Sequence, residues 1–432
     1  MSSENFCILF LLGLTVCLSL LMGKGLLFWH RFHGFSCRSL FGIVVVIGLV
    51  CRIAFALKTP IFYAPDEQSH FNYIKFLSES HTFPIQTSQT GDASNDWEYY
   101  QPPLYYLLMT PVYRIAALFF QNEEAIVRII RCVSILLWFS NVWFAKQFCR
   151  RANINDELGR ACVIIFVCLL PTYTFLSSVI NNDNLLITLG GLFFCLLLRE
   201  GETLSQTIGM GEVLGLALLT KLNAVVYVFA MILFFVINSK RQHRRWQQTL
   251  FHISIILTIS VIFWAPWGLR NYHVYGSLTA EKIANVPKVW DSFPIAVSYI
   301  GRSLIRTFWS VSGIGNNVRG YFPIIGVLLT STAFSGLVTQ HIKNRMRLPM
   351  IPWGVMLLTI LFNLILIFRF GFLYGQAQGR FLFPLLFPLA VFFSRGMRII
   401  RLNDFHIRLV GLFMTYTVIF TLFSLWMFTR LV

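Results

Sequence analysis

Long apolar runs recur along this chain and constrain its fold more than any other feature. The longest covers residues 209–238, and similar runs follow one another from residue 6 to residue 428. Of the 432 residues, 56% are hydrophobic and only 12% are charged, which excludes a soluble or a disordered protein. A transmembrane helix requires about 20 mostly apolar residues, so the sequence predicts an all-α polytopic membrane protein with about 12 transmembrane helices. We expect a single domain over residues 1–432.

The basic residues indicate how the chain is oriented. A net charge of +17 would suggest a nucleic-acid partner in a soluble protein. Here Lys and Arg cluster in short loops between apolar runs, so we predict no nucleic-acid partner. Cytoplasmic loops of membrane proteins are enriched in Lys and Arg. We therefore assign to the cytoplasm the clusters at 31–38, 146–151, 240–245, 343–347 and 395–401.

Two apolar runs need separate treatment for this topology to hold. The run at 209–238 is too long for one span and has Lys221 near its centre, so we predict two short helices that meet near 220–222. The run at 103–120 begins at a Pro-Pro pair and is followed by acidic residues. We predict that it does not cross and forms a juxtamembrane or re-entrant helix on the external face.

This topology leaves two long hydrophilic segments outside the membrane, a first external loop at 58–124 and a second at 268–320. Residues 6–38 are predicted to form an extra N-terminal helix with its following loop, because no basic residue precedes the apolar run as it would in a signal peptide. The nine Cys lie mostly inside apolar runs, so no disulfide framework is expected.

The first external loop begins with two adjacent carboxylates. Pro65, Asp66 and Glu67 follow an apolar run directly, and His70 stands one helical turn after Asp66. One interpretation is a helix cap in a solvated loop. The other is a general base with a divalent metal ligand beside it, which we favour because paired acids at a lipid interface are costly unless they are used.

Two polar strings lie at the edges of apolar runs. The segment 101–106 (Gln-Pro-Pro-Leu-Tyr-Tyr) is either part of an interfacial aromatic belt or a stiff ledge over a site. The segment 181–184 (Asn-Asn-Asp-Asn) forms a very short turn. Its residues are common turn formers, but Asp183 and the amides beside it could equally reach the same external pocket as Asp66. The sequence leaves both alternatives open.

Three cations stand where the external face could bind phosphate. Lys221 is alone in an apolar run, Arg270 ends an apolar run, and Arg380 follows a glycine at the start of another. They could be a snorkelling lysine, a headgroup-binding arginine and a membrane anchor. Alternatively, the arginine forks would bind a phosphate in bidentate fashion, and the lysine would neutralise it.

Together these motifs resemble the GT-C superfamily of membrane glycosyltransferases, which includes the protein O-mannosyltransferases and the aminoarabinose transferases of lipid A. The sequence is still more similar to a poorly characterised bacterial polytopic family with a Pro-Asp-Glu-x-x-His motif. The resemblance covers most of residues 40–395. It rests on segments 65–70, 101–106, 181–183, 218–221, 269–271 and 378–381. It implies a GT-C-like fold in which external juxtamembrane helices accompany the transmembrane helices.

The resemblance also implies an activity. Such a protein would be an inverting hexosyl- or pentosyltransferase that moves a sugar from polyprenyl phosphate to an acceptor hydroxyl, on the external face of a bacterial inner membrane. Asp66 and Glu67 would be catalytic, with Asp66 as the general base. Some superfamily members need a metal and others do not, so a divalent cation (Mg²⁺ or Mn²⁺) shared by Asp66, Glu67 and Asp183 stays open. The donor phosphate would be held by Lys221, Arg270 and Arg380, and the acceptor or sugar by His70, Gln101, Tyr105, Asn181, Asn182 and Gln378.

The expected partners are the lipid-linked sugar, membrane lipids, and an acceptor glycan, lipid or protein. One alternative is a transporter or flippase for an anionic lipid-linked substrate, which would need polar residues deep in several spans. Another is a polymerase or ligase with an undecaprenyl-diphosphate donor, which would favour an Arg-rich external loop. The polar residues gather at one face, and the 268–320 loop has only four Arg, so the sequence favours the glycosyltransferase.

Overall fold

The computed structural model describes residues 37–87, 97–199, 201, 203–243, 245–280, 290, 292–310, 322–342, 350–397 and 411–423. These residues form helices joined by turns and short loops, with no strand among them. The predicted all-α architecture is confirmed. In chain order the helices are α1 (Cys37–Lys58), α2 (Glu67–Ser80), α3 (Leu104–Phe119), α4 (Glu123–Arg151), α5 (Glu157–Leu169), α6 (Pro171–Leu176), α7 (Asp183–Leu197), α8 (Leu204–Leu218), α9 (Val225–Arg241), α10 (Trp246–Tyr275), α11 (Phe293–Trp309), α12 (Phe322–Ile342), α13 (Met350–Tyr374), α14 (Leu386–Gly396) and α15 (Gly411–Phe423). Short 3₁₀ helices at Leu222–Ala224 and Gly379–Leu385 precede α9 and α14.

Several helices have the length and composition of membrane spans. Within the described ranges, α1, α4, α9 with its leading 3₁₀ turn, α10 and α13 are long and apolar enough to cross a membrane. Helices α3, α7, α12 and α15 are apolar but shorter. An integral membrane protein is therefore confirmed, while the number of twelve spans stays a prediction. The extra helix and loop predicted at 6–38 lie mainly outside the described residues.

The predicted division of the long apolar run at 209–238 is confirmed. Helix α8 ends at Leu218, and Lys221 has an extended backbone (φ −163°, ψ 138°) before the next helical turn. The backbone N–H of Leu104 donates to the carbonyl of Leu219 at 3.0 Å. The break therefore brings the chain around Lys221 against the start of α3.

The apolar run at 161–180 is interrupted in the structure. Pro171 has no N–H to donate and begins α6 after α5 has ended. Arg52 of α1 is fully buried and donates to the carbonyl of Cys168 at 2.6 Å and to the hydroxyl of Ser177 at 2.7 Å. Its guanidinium lies 4.1 Å from the ring centroid of Trp138. Arg52 thus holds the broken segment in place. This segment leads to the turn at residues 181–184, called the Asn-rich turn below.

Helices α2 and α3 pack side by side in the segment that is predicted to form the first external loop. Tyr73 stacks on Tyr106 with ring centroids 3.8 Å apart, and Phe71 contacts Tyr113. The opposite face of α3 exposes apolar side chains such as Leu118, which is 80% exposed. An amphipathic helix of this kind is what the juxtamembrane prediction for 103–120 requires.

Candidate active site

The residue before α2, Asp66, has a conformation that frees its side chain for the site. Its backbone is left-handed (φ 63°), a region that few residues other than glycine, Asn and Asp adopt. Its carboxylate makes no capping bond to α2, so the helix-cap interpretation is wrong. The carboxylate instead accepts a hydrogen bond from Nη2 of Arg380, far along the chain, and the Asp66 side chain remains 22% exposed.

Arg380 offers further donors beside Asp66. It lies in the 3₁₀ helix before α14, and its side chain is 7% exposed. Its Nε and Nη1 are buried and have no hydrogen-bond partner within the part of the chain that the structure describes. Buried polar groups are rarely left unpaired in folded proteins. The guanidinium therefore points to an anionic ligand next to Asp66.

Lys221 joins the Asn-rich turn to the same region. Its Nζ lies 2.6 Å from Oδ1 of Asp183 and 3.1 Å from Oδ1 of Asn182. The side chain of Asn181 accepts a hydrogen bond from the backbone N–H of Asp183 at 2.8 Å. Oδ2 of Asp183 and Nδ2 of Asn181 are buried and unpaired among the described residues. The turn is thus a polar cluster with free hydrogen-bonding groups, and its Asp183 is ion-paired.

Glu98 completes an acidic cluster that the sequence did not predict. One ligand atom each from Asp66, His70 and Glu98 lies within 4.8 Å of the others. Glu98 is 6% exposed, and its Oε2 has no hydrogen-bond partner among the described residues. The available sequence signal for Glu98 was an acidic residue shortly before the Gln-Pro-Pro-Leu-Tyr-Tyr segment. Such an acid looks like any other acidic residue of a solvated loop.

The surroundings of the cluster shift the pKa values of its three titrating groups differently. Burial, together with the nearby Asp66 carboxylate, raises the pKa of Glu98 to about 8. For Asp66, burial acts to raise the pKa, but Arg380 and the other cations outweigh it and hold the pKa below its usual value. Burial lowers the pKa of His70 to about 3. The surroundings therefore favour the charged form of Asp66 and the neutral forms of Glu98 and His70.

The cluster could hold a divalent cation, but with a different set of ligands from the predicted one. Carboxylate oxygens with one imidazole nitrogen suit Mn²⁺ or Zn²⁺ better than Mg²⁺, which prefers oxygen ligands. The predicted set was Asp66, Glu67 and Asp183. Of these three, only Asp66 belongs to the cluster with His70 and Glu98.

The carboxylate of Glu67 makes an ion pair and hydrogen bonds away from the cluster. This corrects its predicted catalytic and metal-binding roles. Its side chain is fully buried and pairs with Arg131 of α4 through N···O distances of 2.8 and 2.7 Å. The same carboxylate accepts the backbone N–H groups of Ile180 and Phe62 at 3.0 and 3.1 Å. Both oxygens are thus used to fix the backbone around the site. Successive residues of a helix do not face the same way, so Glu67 points away when Asp66 points in.

Arg270 is the second predicted residue that lies apart from the cluster. Its guanidinium donates to the carbonyl of Pro84 and to the side chain of Asn271, and it lies 4.6 Å from the ring centroid of Trp267. These contacts tie α10 to the loop after α2. The structure therefore brings Lys221 and Arg380 to the site but gives Arg270 a structural contact.

Three predicted residues remain, and of these Tyr105 contacts the cluster. Tyr105 is fully buried with its ring centroid 6.5 Å from that of His70, and Gln101 donates to the hydroxyl of Tyr100 at 3.1 Å. Oε1 of Gln378 is buried without a partner among the described residues. Tyr106, which the sequence analysis did not single out, has its hydroxyl 2.9 Å from Nδ1 of His70.

Comparisons with known proteins identify a similar family and similar folds. Residues 100–268 match the family model for dolichyl-phosphate-mannose-protein mannosyltransferases. The fold is similar to the apo oligosaccharyltransferase of Archaeoglobus fulgidus, with a TM-score of 0.51 at 13% identity over 85% of this chain and 51% of that one. The chain has the GT-C fold. It spans about half the length of that oligosaccharyltransferase.

Two further structures are similar to this GT-C chain at lower scores. ArnT from Cupriavidus metallidurans has a TM-score of 0.39 in the apo state (13% identity, 87% of this chain and 77% of that one). With undecaprenyl phosphate bound, it has a TM-score of 0.40 (14% identity, 86% and 77%). A comparison with curated protein sequences gives no significant match. The family match includes Asp183 and Lys221, whereas Asp66, Glu98 and Arg380 lie outside it.

Proposed function

We propose that this GT-C chain is an inverting glycosyltransferase that moves a sugar from polyprenyl phosphate to an acceptor hydroxyl. The reaction would take place on the external face of a bacterial inner membrane. The observation that carries the proposal is the pairing of Asp66 with Arg380, whose other buried donors lack partners in the described structure. One guanidinium can therefore contact the base and the donor phosphate together. The match of residues 100–268 to the family model for dolichyl-phosphate-mannose-protein mannosyltransferases supports this class of donor.

Arg380 and Lys221 would hold the donor phosphate. The free donors of Arg380, Nε and Nη1, lie on different edges of the guanidinium, and each can donate a charge-assisted hydrogen bond to a phosphate oxygen. Lys221 already neutralises Asp183, and it would add positive charge at the leaving group. As the bond between the anomeric carbon and the phosphate oxygen breaks, negative charge grows on the phosphate. Fixed donors aimed at that charge lower the barrier.

Asp66 would act as the general base. The acceptor oxygen attacks the anomeric carbon from the side opposite the phosphate, its proton passes to Asp66, and polyprenyl phosphate leaves. The ion pair with Arg380 keeps Asp66 ionised at neutral pH. His70, Gln101, Tyr105, Asn181, Asn182 and Gln378 would contact the sugar or the acceptor. The unpaired atoms of Asn181 and Gln378 support this role.

Asp66 and Glu98, together with His70 when its free ring nitrogen carries no proton, are the residues that would hold a divalent cation, such as the Mg²⁺ or Mn²⁺ that the sequence left open. A bound cation would supply positive charge near the leaving phosphate. Asp183, paired with Lys221, would orient the acceptor or the sugar instead of acting as a ligand.

A density map of the protein with polyprenyl phosphate added would test the proposal most directly. We expect the phosphate between Lys221 and Arg380, within reach of Asp66. The transporter alternative predicts something different: a headgroup in a cavity that opens toward the cytoplasm, away from Asp66. That second outcome would replace the glycosyltransferase by a transporter of lipid-linked anions.

Replacing Arg380 by Lys is expected to weaken polyprenyl-phosphate binding by about 10-fold or more, because a hydrogen bond to a charged group contributes about 1.5–3 kcal/mol. Lysine keeps the charge but loses the separate, fixed donors of the guanidinium. The dissociation constant of polyprenyl phosphate in detergent measures the effect. Arg270→Lys is the matched control, since Arg270 contacts Pro84 and Trp267. Equal weakening by both substitutions would show that the phosphate does not bind where we propose.

Replacing Gly379 by Ala is expected to reduce sugar transfer by as much as about 10²-fold, because small displacements of catalytic groups are costly. A Cβ at this position would lie 2.2 Å from the backbone nitrogen of Phe308, so the segment that carries Arg380 must move. Gly301→Ala on α11 is the control, since its Cβ would meet nothing within 4 Å. A fully active Gly379→Ala variant would mean that the position of Arg380 does not limit transfer.

A further inference from the structure

Tyr106 lies between the two halves of the site. Its hydroxyl is 2.9 Å from Nδ1 of His70 and 3.4 Å from Nδ2 of Asn182. Its fully buried ring stacks on Tyr73. Among the residues that the structure describes, His70 and Asn182 are the hydrogen-bond partners of this hydroxyl. The hydroxyl thus joins the acidic cluster to the lysine and the Asn-rich turn.

Lys221 fixes the orientation of the Asn182 amide. An ammonium group donates hydrogen bonds and accepts none, so the Asn182 atom 3.1 Å from its Nζ must be the oxygen Oδ1. The amide nitrogen Nδ2 then faces Tyr106, where it can only donate. Asp183 holds Lys221 in place at 2.6 Å. The orientation of the Asn182 amide follows because the lysine ammonium can only donate hydrogen bonds.

The Tyr106 hydroxyl therefore accepts a hydrogen bond from Asn182 and keeps its own proton for His70. If the hydroxyl accepted from His70 as well, its buried O–H would have no acceptor among its described neighbours, and buried donors are seldom left unpaired. Donation from Tyr106 makes Nδ1 of His70 the acceptor. In a neutral imidazole the single proton then lies on Nε2. The burial of His70, which is 1% exposed, favours the neutral ring.

We propose that Tyr106 is a positioning residue whose hydroxyl holds the proton of His70 on Nε2, so that the free nitrogen of His70 is a hydrogen-bond donor beside Asp66 and Glu98. In that state Nε2 has no lone pair to bind a cation, and any cation at the cluster would have carboxylate ligands only. The effect on transfer rests on the proposed function. The position of the proton does not, because it follows from the hydrogen bonds alone.

Solid-state NMR of the full chain in lipid bilayers, with ¹⁵N-labelled histidine rings, tests the position of the proton. The chain has nine His, and the His70 signals are identified by their loss in His70→Gln. We expect a protonated Nε2 and an unprotonated Nδ1 in the wild type. In Tyr106→Phe, which keeps the ring and its stacking on Tyr73, we expect the Nδ1-protonated form to appear. A wild-type proton on Nδ1, or a His70 spectrum unchanged by Tyr106→Phe, would overturn the inference.

The rate of sugar transfer gives a second readout. Because a small misplacement of groups around the reacting atoms can cost up to about 10²-fold, Tyr106→Phe should lower kcat by as much as that factor. The KM for the lipid-linked donor should stay unchanged, because Arg380 and Lys221 hold the phosphate. Tyr113 lies on the same helix but contacts Phe71 instead. Tyr113→Phe should therefore change neither kcat nor KM. An unchanged kcat in Tyr106→Phe would refute the positioning role. If the wild type gives the expected NMR result but transfers no sugar, the proposed function is refuted and the position of the proton is not.

Discussion

Asp66→Asn is expected to abolish sugar transfer while the protein still folds and binds polyprenyl phosphate. General-base catalysis typically contributes about 10²–10⁴-fold to a rate, and an amide cannot take the acceptor proton. Asn should preserve the local structure, because it adopts the left-handed backbone of position 66 about as readily as Asp. Its Oδ1 can still accept the hydrogen bond from Arg380. The loss should therefore appear in kcat and not in donor binding.

The measurement is the initial rate at which a labelled sugar leaves polyprenyl phosphate, in membranes that contain donor and acceptor. Asp156→Asn is a matched control, because Asp156 caps α5 through the backbone N–H of Gly159 and Asn caps helices about as well as Asp. That variant should transfer at the wild-type rate. Full activity in Asp66→Asn would show that another group accepts the proton, and Glu98 would be the next candidate.

The sequence could identify several site residues because their positions are costly without a function. Lys221 interrupts an apolar run, and Asp66 ends another, so each signals a polar environment that the fold must supply. The structure brings both toward Arg380. For the segment 181–184 the sequence left a plain turn and a position in the same pocket equally open, and in the structure Asp183 pairs with Lys221.

The sequence could not distinguish Arg270 from Arg380, since both end or begin apolar runs at the predicted external face. Their roles differ because of what packs nearby: Arg270 meets the carbonyl of Pro84, whereas Arg380 meets a carboxylate. Glu98 and Tyr106 were missed for a related reason. Their partners come from other elements, and only tertiary packing brings those elements together.

Arg131→Met is expected to destabilise the folded protein by about 3–5 kcal/mol, the usual effect of breaking a buried ion pair from one side. Glu67 would remain buried without its partner, and no water can reach it because both side chains are fully buried. Arg131 also donates to the carbonyls of Ala56 and Thr59 at the end of α1, at 2.9 and 2.8 Å. These acceptors would lose their partner too. Denaturant unfolding in detergent micelles measures the loss.

Arg128→Met is the matched control, one turn earlier on α4. Arg128 pairs with Glu124, and both side chains are exposed, at 35% and 46%, so this pair should contribute no more than about 1 kcal/mol. The double variant Glu67→Gln with Arg131→Met removes both charges and should recover part of the stability. If the two single arginine variants lost equal stability, the Glu67–Arg131 pair would not be what fixes the backbone. The left-handed start of α2, which aims Asp66 at Arg380, would then need another support.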